Sequence, residues 1–237
     1  MQQAAFAAQH IEATYEAIEA TSDRVREVFA QLRAEQYAGW NITTPLKEAV
    51  MSLVDRATPE AAAARAGNVI RAEDNGTLTA HNTDGSGFVR AVRELWSWEP
   101  EASTVLILGT GPAARAIAIA LRAGGAASLT CWSRDTARAA QIAPPPAGIA
   151  NLVVSALPAD ATLPAHIVQA SNDETMIFDL NYGRQGSPVT AMRGKRRSDG
   201  LPMLLHQGAL SFEWWTGLTA PLAAMRSALE KTRPLQG

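Results

Sequence analysis

The chain has 237 residues, 47% of them hydrophobic and 19% charged, with a formal net charge of -2. That balance suits one large domain or two smaller ones, excludes a disordered chain, and lacks the basic excess of a nucleic-acid binder. One cysteine, Cys131, excludes a disulfide framework or a cysteine-based zinc site within one chain and points to a reducing compartment, the cytoplasm.

No apolar run is long enough for a bilayer span. The opening MQQAAFAAQHIEATYE has no basic region followed by a long apolar stretch, so it is not a secretory signal. Ala4, Ala8, Ile11, Tyr15 and Ile18 are spaced like one helical face, but a short helix followed by a strand through Tyr15 to Glu19 fits equally well. Ser22 then reads as an N-cap, with Val25, Val28, Phe29 and Leu32 as the apolar stripe of the next helix. An extended piece, Ala38 to Ile42, leads to Pro45, which suits the first turn of a helix carrying Lys47, Val50 and Leu53. Two extended runs flank Asp74-Asn75-Gly76, a hairpin turn.

From residue 84 the texture changes. A helix is predicted over Gly85 to Trp96, and TVLIL (104 to 108) is a continuous apolar run of the kind buried on both faces of a parallel sheet. A helix (Ala113 to Ala123), a strand (Ser128 to Trp132), a helix (Thr136 to Ile142) and strands at Asn151 to Ala156 and Met176 to Asn181 follow. The alternation predicts an α/β protein whose C-terminal half is a Rossmann-type, doubly wound sheet. The tail, Leu201 to Leu229, is helical with a break near Thr216-Gly217. The domain boundary falls near residue 83.

Within TVLILGTGPAARA, Gly109, Gly111 and Ala114 fill a G-x-G-x-x-A pattern between strand and helix. Gly109 permits the tight turn, Gly111 lets backbone approach a pyrophosphate, and Ala114 lets helix and strand pack closely. The helix start at Ala113 offers free N–H groups to the anion. A plain glycine-rich turn is the alternative. The second strand ends in Ser133-Arg134-Asp135, with Arg138 one turn on. Arginine suits a ribose 2′-phosphate, which favours NADP over NAD, although Asp135 could pair with either arginine and both could be solvated surface groups.

Two stretches of the first half hold the remaining candidates: Gly39-Trp40-Asn41-Ile42-Thr43-Thr44-Pro45-Leu46-Lys47 and His81-Asn82-Thr83-Asp84-Gly85-Ser86-Gly87. Followed by GTGPAAR at 109 to 115, Tyr182 after FDLN, and MLLHQGALSFEWWTG from Met203 to Gly217, they make five motifs in order over nearly the whole chain. In this the sequence resembles the shikimate dehydrogenase family. The resemblance implies a substrate domain over 1–83, an NADP-binding domain over 84–205, and C-terminal helices over 206–237 that return to the substrate domain. It implies reversible NADPH-dependent reduction of 3-dehydroshikimate to shikimate, a step of aromatic amino acid biosynthesis. Matched position by position, Lys47 and Asp84 are the catalytic pair. Thr43, Asn68, Gln207 and Tyr182 match substrate contacts, and Ser133, Arg134 and Arg138 match the segment that holds the 2′-phosphate.

Chemistry supports the pair without the resemblance. Hydride arriving at a ketone carbon leaves negative charge on oxygen, which a neighbouring ammonium stabilises and protonates. Taken singly, each residue has an ordinary reading. Lys47 can be a surface lysine, Asp84 a cap of the helix beginning near Gly85, Asn68 a turn residue beside Gly67, Gln207 a helix-surface amide, and Tyr182 a packed aromatic. His81 and His206 have no partners at metal-ligand spacing and read as structural, so no metal is expected. Trp214 and Trp215 read as core.

The pattern departs from the family in places. The opening strand and S-x-S-P serine pair have no counterpart here. A start assigned too late, another segment filling the gap, or a change of substrate are the explanations, in that order. Tyr182 is followed by Gly183-Arg184 rather than x-Pro, and no threonine-bearing turn follows Ser155-Ala156-Leu157-Pro158. The sequence therefore predicts a dehydrogenase acting on a small polyol acid, as a monomer or homodimer, without nucleic acid or membrane partners. The competing readings are a relative acting on quinate or aminoshikimate and a catalytically silent NADP-binding protein.

Overall fold

A computed structural model of the protein describes residues 1–183 and 186–231; Arg184 and the last residues of the C-terminal segment lie outside them. The chain divides into two compact units, Met1–Gly87 joined by residues 205–231, and Phe88–Leu204.

In the first unit, α1 (Gln2–Ala8) is followed by α2 (Val25–Ala34), whose Val25, Val28, Phe29 and Leu32 form the buried stripe that the spacing predicts. Burying each such side chain stabilises by about 1.5–3 kcal/mol. Strands β1 (Gly39–Asn41), β2 (Arg56–Ala57), β3 (Val69–Ala72) and β4 (Leu78–His81) make one sheet in the order β1-β3-β4-β2. The turn at Asp74-Asn75-Gly76 joins β3 and β4 as an antiparallel hairpin, with Gly76 at φ 78° and Asn75 Oδ1 accepting the Thr77 N–H. Helix α3 (Pro59–Ala64) is capped by Thr58.

Two local expectations fail, at Ser22 and at Pro45, and of the two readings left open for residues 4–19 a short helix stands without a following strand. Residues 15–19 join no sheet among the described residues. Ser22 caps nothing; Arg24 is the N-cap residue, and it makes no side-chain cap bond. Pro45 opens a turn rather than an α-helix, and only Ala49–Ser52 form a short 3₁₀ helix.

The second unit is built on α4 (Asp84–Trp96), β5 (Thr104–Leu108), α5 (Pro112–Ala123), β6 (Ser128–Trp132), α6 (Thr136–Ile142), β7 (Leu152–Ser155), α7 (Ala165–Val168), β8 (Met176–Asp179) and β9 (Arg196–Ser198). The five strands run parallel in the order β6-β5-β7-β8-β9, the Rossmann-type sheet that the alternation predicts. Val105 to Leu108 are all fully buried, as a strand covered by helices on both faces requires. The β9 edge strand and α7 were not foreseen; both are too short to leave a periodic signal.

Helix α8 (Leu201–Thr216) ends at Gly217 (φ 71°), and α9 (Leu222–Lys231) follows. In the first unit Leu205, Ala209 and Phe212 of α8 and Met225 of α9 form one core with Ala5 and Phe6 of α1. Gln2 Nε2 donates to the Gly208 carbonyl at 2.8 Å.

Candidate active site

The start of α4, the turn before the 3₁₀ helix, the loop into β3 and the middle of α8 meet within the first unit. Lys47 Nζ lies 2.7 Å from Asp84 Oδ2, with side-chain exposures of 14% and 3%. Backbone bonds fix the approach. The Lys47 carbonyl accepts the Gly67 N–H at 2.9 Å, and the Asn68 carbonyl accepts the Ile42 N–H at 2.8 Å.

Asp84 does not cap α4. Its own N–H donates to Asn82 Oδ1 at 3.0 Å, and the Thr83 carbonyl accepts the first helical N–H, from Gly87. Both Asp84 carboxylate oxygens are thereby left for side chains: Oδ2 for Lys47, and Oδ1 for Asn68 Nδ2 at 3.0 Å.

Asn68 is the hub. Its Oδ1 accepts the Thr83 N–H at 2.8 Å. Its Nδ2 faces three acceptors, Thr83 Oγ1 at 2.9 Å, Asp84 Oδ1 and Gln207 Oε1 at 3.1 Å. An amide nitrogen carries two hydrogens, so these three acceptors share two donor positions on Asn68. Gly87 lets α8 come this close: a Cβ there would stand 2.7 Å from the Gln207 backbone nitrogen.

Three further polar residues belong to the cluster and were not singled out from sequence. Thr83 Oγ1 donates to the Gln207 carbonyl at 3.0 Å, Ser211 Oγ donates to the same carbonyl at 2.9 Å, and Asn41 Nδ2 donates to Ser211 Oγ at 3.0 Å. The signal for Ser211 was available, since it lies four residues after Gln207 and so on the same helical face. Thr43 stands apart. It is exposed, its carbonyl accepts the Leu46 N–H, and its side chain makes no bond into the cluster among the described residues.

His81 stands at the end of β4. Its Nδ1 is 2.8 Å from Thr58 Oγ1 and its ring lies 5.2 Å from Trp214. Burial lowers its pKa, partly countered by the nearby Glu60 carboxylate. Trp214 also lies under the Arg71 guanidinium, and Trp215 Nε1 donates to the Ile70 carbonyl. No cluster of metal-ligating side chains is found among the described residues, nor is any helix long and apolar enough to cross a membrane.

The second unit carries the glycine-rich loop, between β5 and α5. Gly109 has φ 105°, a left-handed conformation that disfavours any side chain, and a Cβ there would press on the Ala156 carbonyl at 3.1 Å. A Cβ at Gly111, the N-cap of α5, would meet nothing within 4 Å, so that backbone is open to a ligand. Pro112 takes the first helical position, Ala113 is half-buried, Ala114 is buried, and Arg115 Nη1 donates to the Thr110 carbonyl.

At the end of β6, Ser133 Oγ accepts the Asp135 N–H, and Asp135 Oδ1 caps α6 by accepting the Arg138 N–H at 3.0 Å. Asp135 therefore forms no ion pair with Arg134 or Arg138, whose exposed side chains hold no partner among the described residues. Two unpaired guanidinium groups beside an open loop fit a nucleotide carrying an extra phosphate. Tyr182, 45% exposed, lies against Gly200 in this unit.

Residues 1–70 match the shikimate dehydrogenase substrate-binding domain and residues 200–230 match the shikimate 5′-dehydrogenase C-terminal domain. The chain is 31% identical to a shikimate dehydrogenase (NADP(+)) from Desulforamulus reducens, over 98% of this chain and 89% of the relative. This chain belongs to the shikimate dehydrogenase family. Among solved structures, shikimate 5-dehydrogenase from Thermus thermophilus in complex with NADP(H) and shikimate is 29% identical (TM-score 0.83; 97% of this chain, 92% of that one). Quinate dehydrogenase from Corynebacterium glutamicum in complex with NAD is 25% identical (TM-score 0.80; 97% and 92%). Membership places the chain among oxidoreductases acting on a CH–OH group with NADP as cofactor.

Proposed function

We propose that the chain catalyses reversible NADPH-dependent reduction of 3-dehydroshikimate to shikimate, with Lys47 and Asp84 as the catalytic residues. The observation that carries this reading is the Lys47–Asp84 pair, nearly buried and bordered by the amides of Asn68 and Gln207. An ion pair serving stability alone is weakly motivated in such a place, because desolvation offsets most of its attraction. Ringed by amides that recognise hydroxyl groups, it suits a polyol.

In the reductive direction the Lys47 ammonium stands against the ketone oxygen, stabilises the charge that develops there and donates its proton to give the alcohol. Asp84 holds the ammonium in place and accepts a hydrogen bond from a neighbouring substrate hydroxyl. Asn68 and Gln207 orient the remaining hydroxyls, with Thr43 and Tyr182 as further substrate contacts. NADPH supplies the hydride. Gly109, Gly111, Ala113, Ala114 and Arg115 hold its pyrophosphate, and Ser133, Arg134 and Arg138 hold its 2′-phosphate. The substrate domain comprises 1–83 with the C-terminal helices from 206, and residues 84–205 form the cofactor domain.

A related polyol acid is the second reading, supported by the likeness to quinate dehydrogenase. A steady-state assay with NADP and either shikimate or quinate separates the two. The proposal expects a higher kcat/KM for shikimate. A higher value for quinate reverses the substrate, and no turnover of either, with NADP still binding, leaves a silent homologue.

A further inference from the structure

One buried carboxylate plays no part in the proposed chemistry. Asp179 ends β8 and is 6% exposed, and no ion pair of Asp179 is found among the described residues. Moving a carboxylate out of water is costly unless hydrogen-bond donors replace the water it loses. Three donors do so here. The Asn181 N–H donates to Oδ1 at 3.2 Å, Asn181 Nδ2 donates to the same oxygen at 2.8 Å, and Ser187 Oγ donates to Oδ2 at 2.5 Å. Asn181 Nδ2 also donates to the Leu157 carbonyl at 2.9 Å, two residues beyond the end of β7. One asparagine thus ties the segment after β8 to the segment after β7. Its own carbonyl accepts the Gly200 N–H at 3.1 Å, which draws in the turn ahead of α8. Only glycine permits that approach, because a Cβ at position 200 would overlap the Leu180 carbonyl.

Register sets where this cluster lies. Leu108, Ser155 and Asp179 pair across the parallel strands β5, β7 and β8. Residues 109, 156 and 180 therefore leave the sheet side by side at its carboxyl edge, the edge at which open α/β sheets bind ligands. The segment held by Asn181 borders the glycine loop, since a Cβ at Gly109 would press on the Ala156 carbonyl. In the order β6-β5-β7-β8-β9 the chain reverses its direction of travel between β5 and β7. A dinucleotide lies across such a point with one mononucleotide on each side. Arg134 and Arg138, which follow β6, mark that side for the half that carries the 2′-phosphate. The β7–β8 side is left for the nicotinamide half.

We infer that Asp179, Asn181 and Ser187 are positioning residues for the nicotinamide half of NADP. The carboxylate fixes the Asn181 amide, and the amide holds the segments after β7 and β8 at the spacing which that half of the cofactor requires. Ser187 completes the arrangement by holding the second carboxylate oxygen, so that Oδ1 stays turned to Asn181. This rests on the cofactor reading above and extends it to residues that act through the backbone they hold.

Isothermal titration calorimetry of the full chain with NADP and with 2′,5′-ADP, the half that carries the extra phosphate, provides the test. Asn181→Ala and Ser187→Ala should each weaken NADP by at least ~5-fold, about the value of one lost hydrogen bond, and leave 2′,5′-ADP within ~2-fold of the parent. Ser187→Thr keeps the hydroxyl and should bind NADP like the parent. Unchanged NADP affinity in either alanine variant overturns the inference. An equal loss for both ligands, which a loosened or unfolded domain would give, overturns it too, as does a Ser187→Thr variant as weak as Ser187→Ala. A parent chain that binds neither ligand overturns the cofactor reading as well, so the parent's own titration tells the two failures apart. The readout involves no turnover.

Discussion

Replacing Lys47 by alanine removes the ammonium while leaving Asp84, only 3% exposed, where it is. At 2.7 Å, and with an effective dielectric constant of about 20, the lost attraction is roughly 6 kcal/mol gross. Desolvation of the two charges offsets much of that. The net folding penalty is about 3 kcal/mol, the low end for breaking a buried pair, because Asn68 Nδ2 still donates to the carboxylate and water can enter where the lysine stood. The catalytic penalty is separate. A proton donor aimed at the forming alkoxide contributes about 10³-fold, or roughly 4 kcal/mol of barrier. Initial rates of NADPH formation from shikimate should therefore show kcat lower by about three orders of magnitude. NADP affinity, measured by fluorescence quenching, should hold, since the glycine loop and Arg134 belong to the other unit. A fall of less than ~10-fold in kcat, or an equal loss of NADP affinity, would refute the assignment.

Other outcomes follow from the same geometry. Arg134→Ala should weaken NADP binding by about 1.5–3 kcal/mol while barely changing NAD, the value of a hydrogen bond to a charged group; equal losses for both cofactors would show that this arginine does not read the 2′-phosphate. Gly87→Ala should lower the melting temperature by several degrees, because its Cβ would overlap the Gln207 backbone at 2.7 Å and overpacking costs about 1–3 kcal/mol; an unchanged melting curve would contradict the close approach. His81 has a folded pKa below its ordinary 6.5, burial being the larger cause. The unfolded chain thus binds the proton more readily, and His81 makes stability fall as pH drops from 6.5 towards its folded value. The stability of His81→Gln, measured by urea unfolding across that range, should fall less steeply with acid than that of the parent, and parallel curves would exclude the effect.

Much of the fold was legible in one dimension. The continuous apolar run at 104 to 108, the glycine pattern after it and the alternation of strand and helix predict a parallel sheet, because a strand covered on both faces leaves no polar positions to disguise it. The stripe of α2 and the Asp74-Asn75-Gly76 hairpin were equally plain, each carried by local periodicity or turn chemistry. Residues 15–19 show where local signals stop: whether an extended segment is a strand depends on a neighbour that its own sequence does not encode. The helix expected after Pro45 failed for a similar reason, since the turn that presents Lys47 is held by the Gly67 N–H from another part of the chain.

The site divides along the same line. Residue chemistry and motif order singled out Lys47, Asp84, Asn68 and Gln207, and the grouping of these four into one hydrogen-bonded cluster is a tertiary fact. Sequence alone left open whether Asp84 caps its helix and whether Asp135 neutralises the arginines beside it. The fold decided both by giving the cap of α4 to Asn82 and Thr83 and turning Asp135 onto the start of α6. A side chain's chemistry travels with its identity, but its partners are set by which distant backbone groups have already been satisfied. That allocation exists only once the chain has closed on itself.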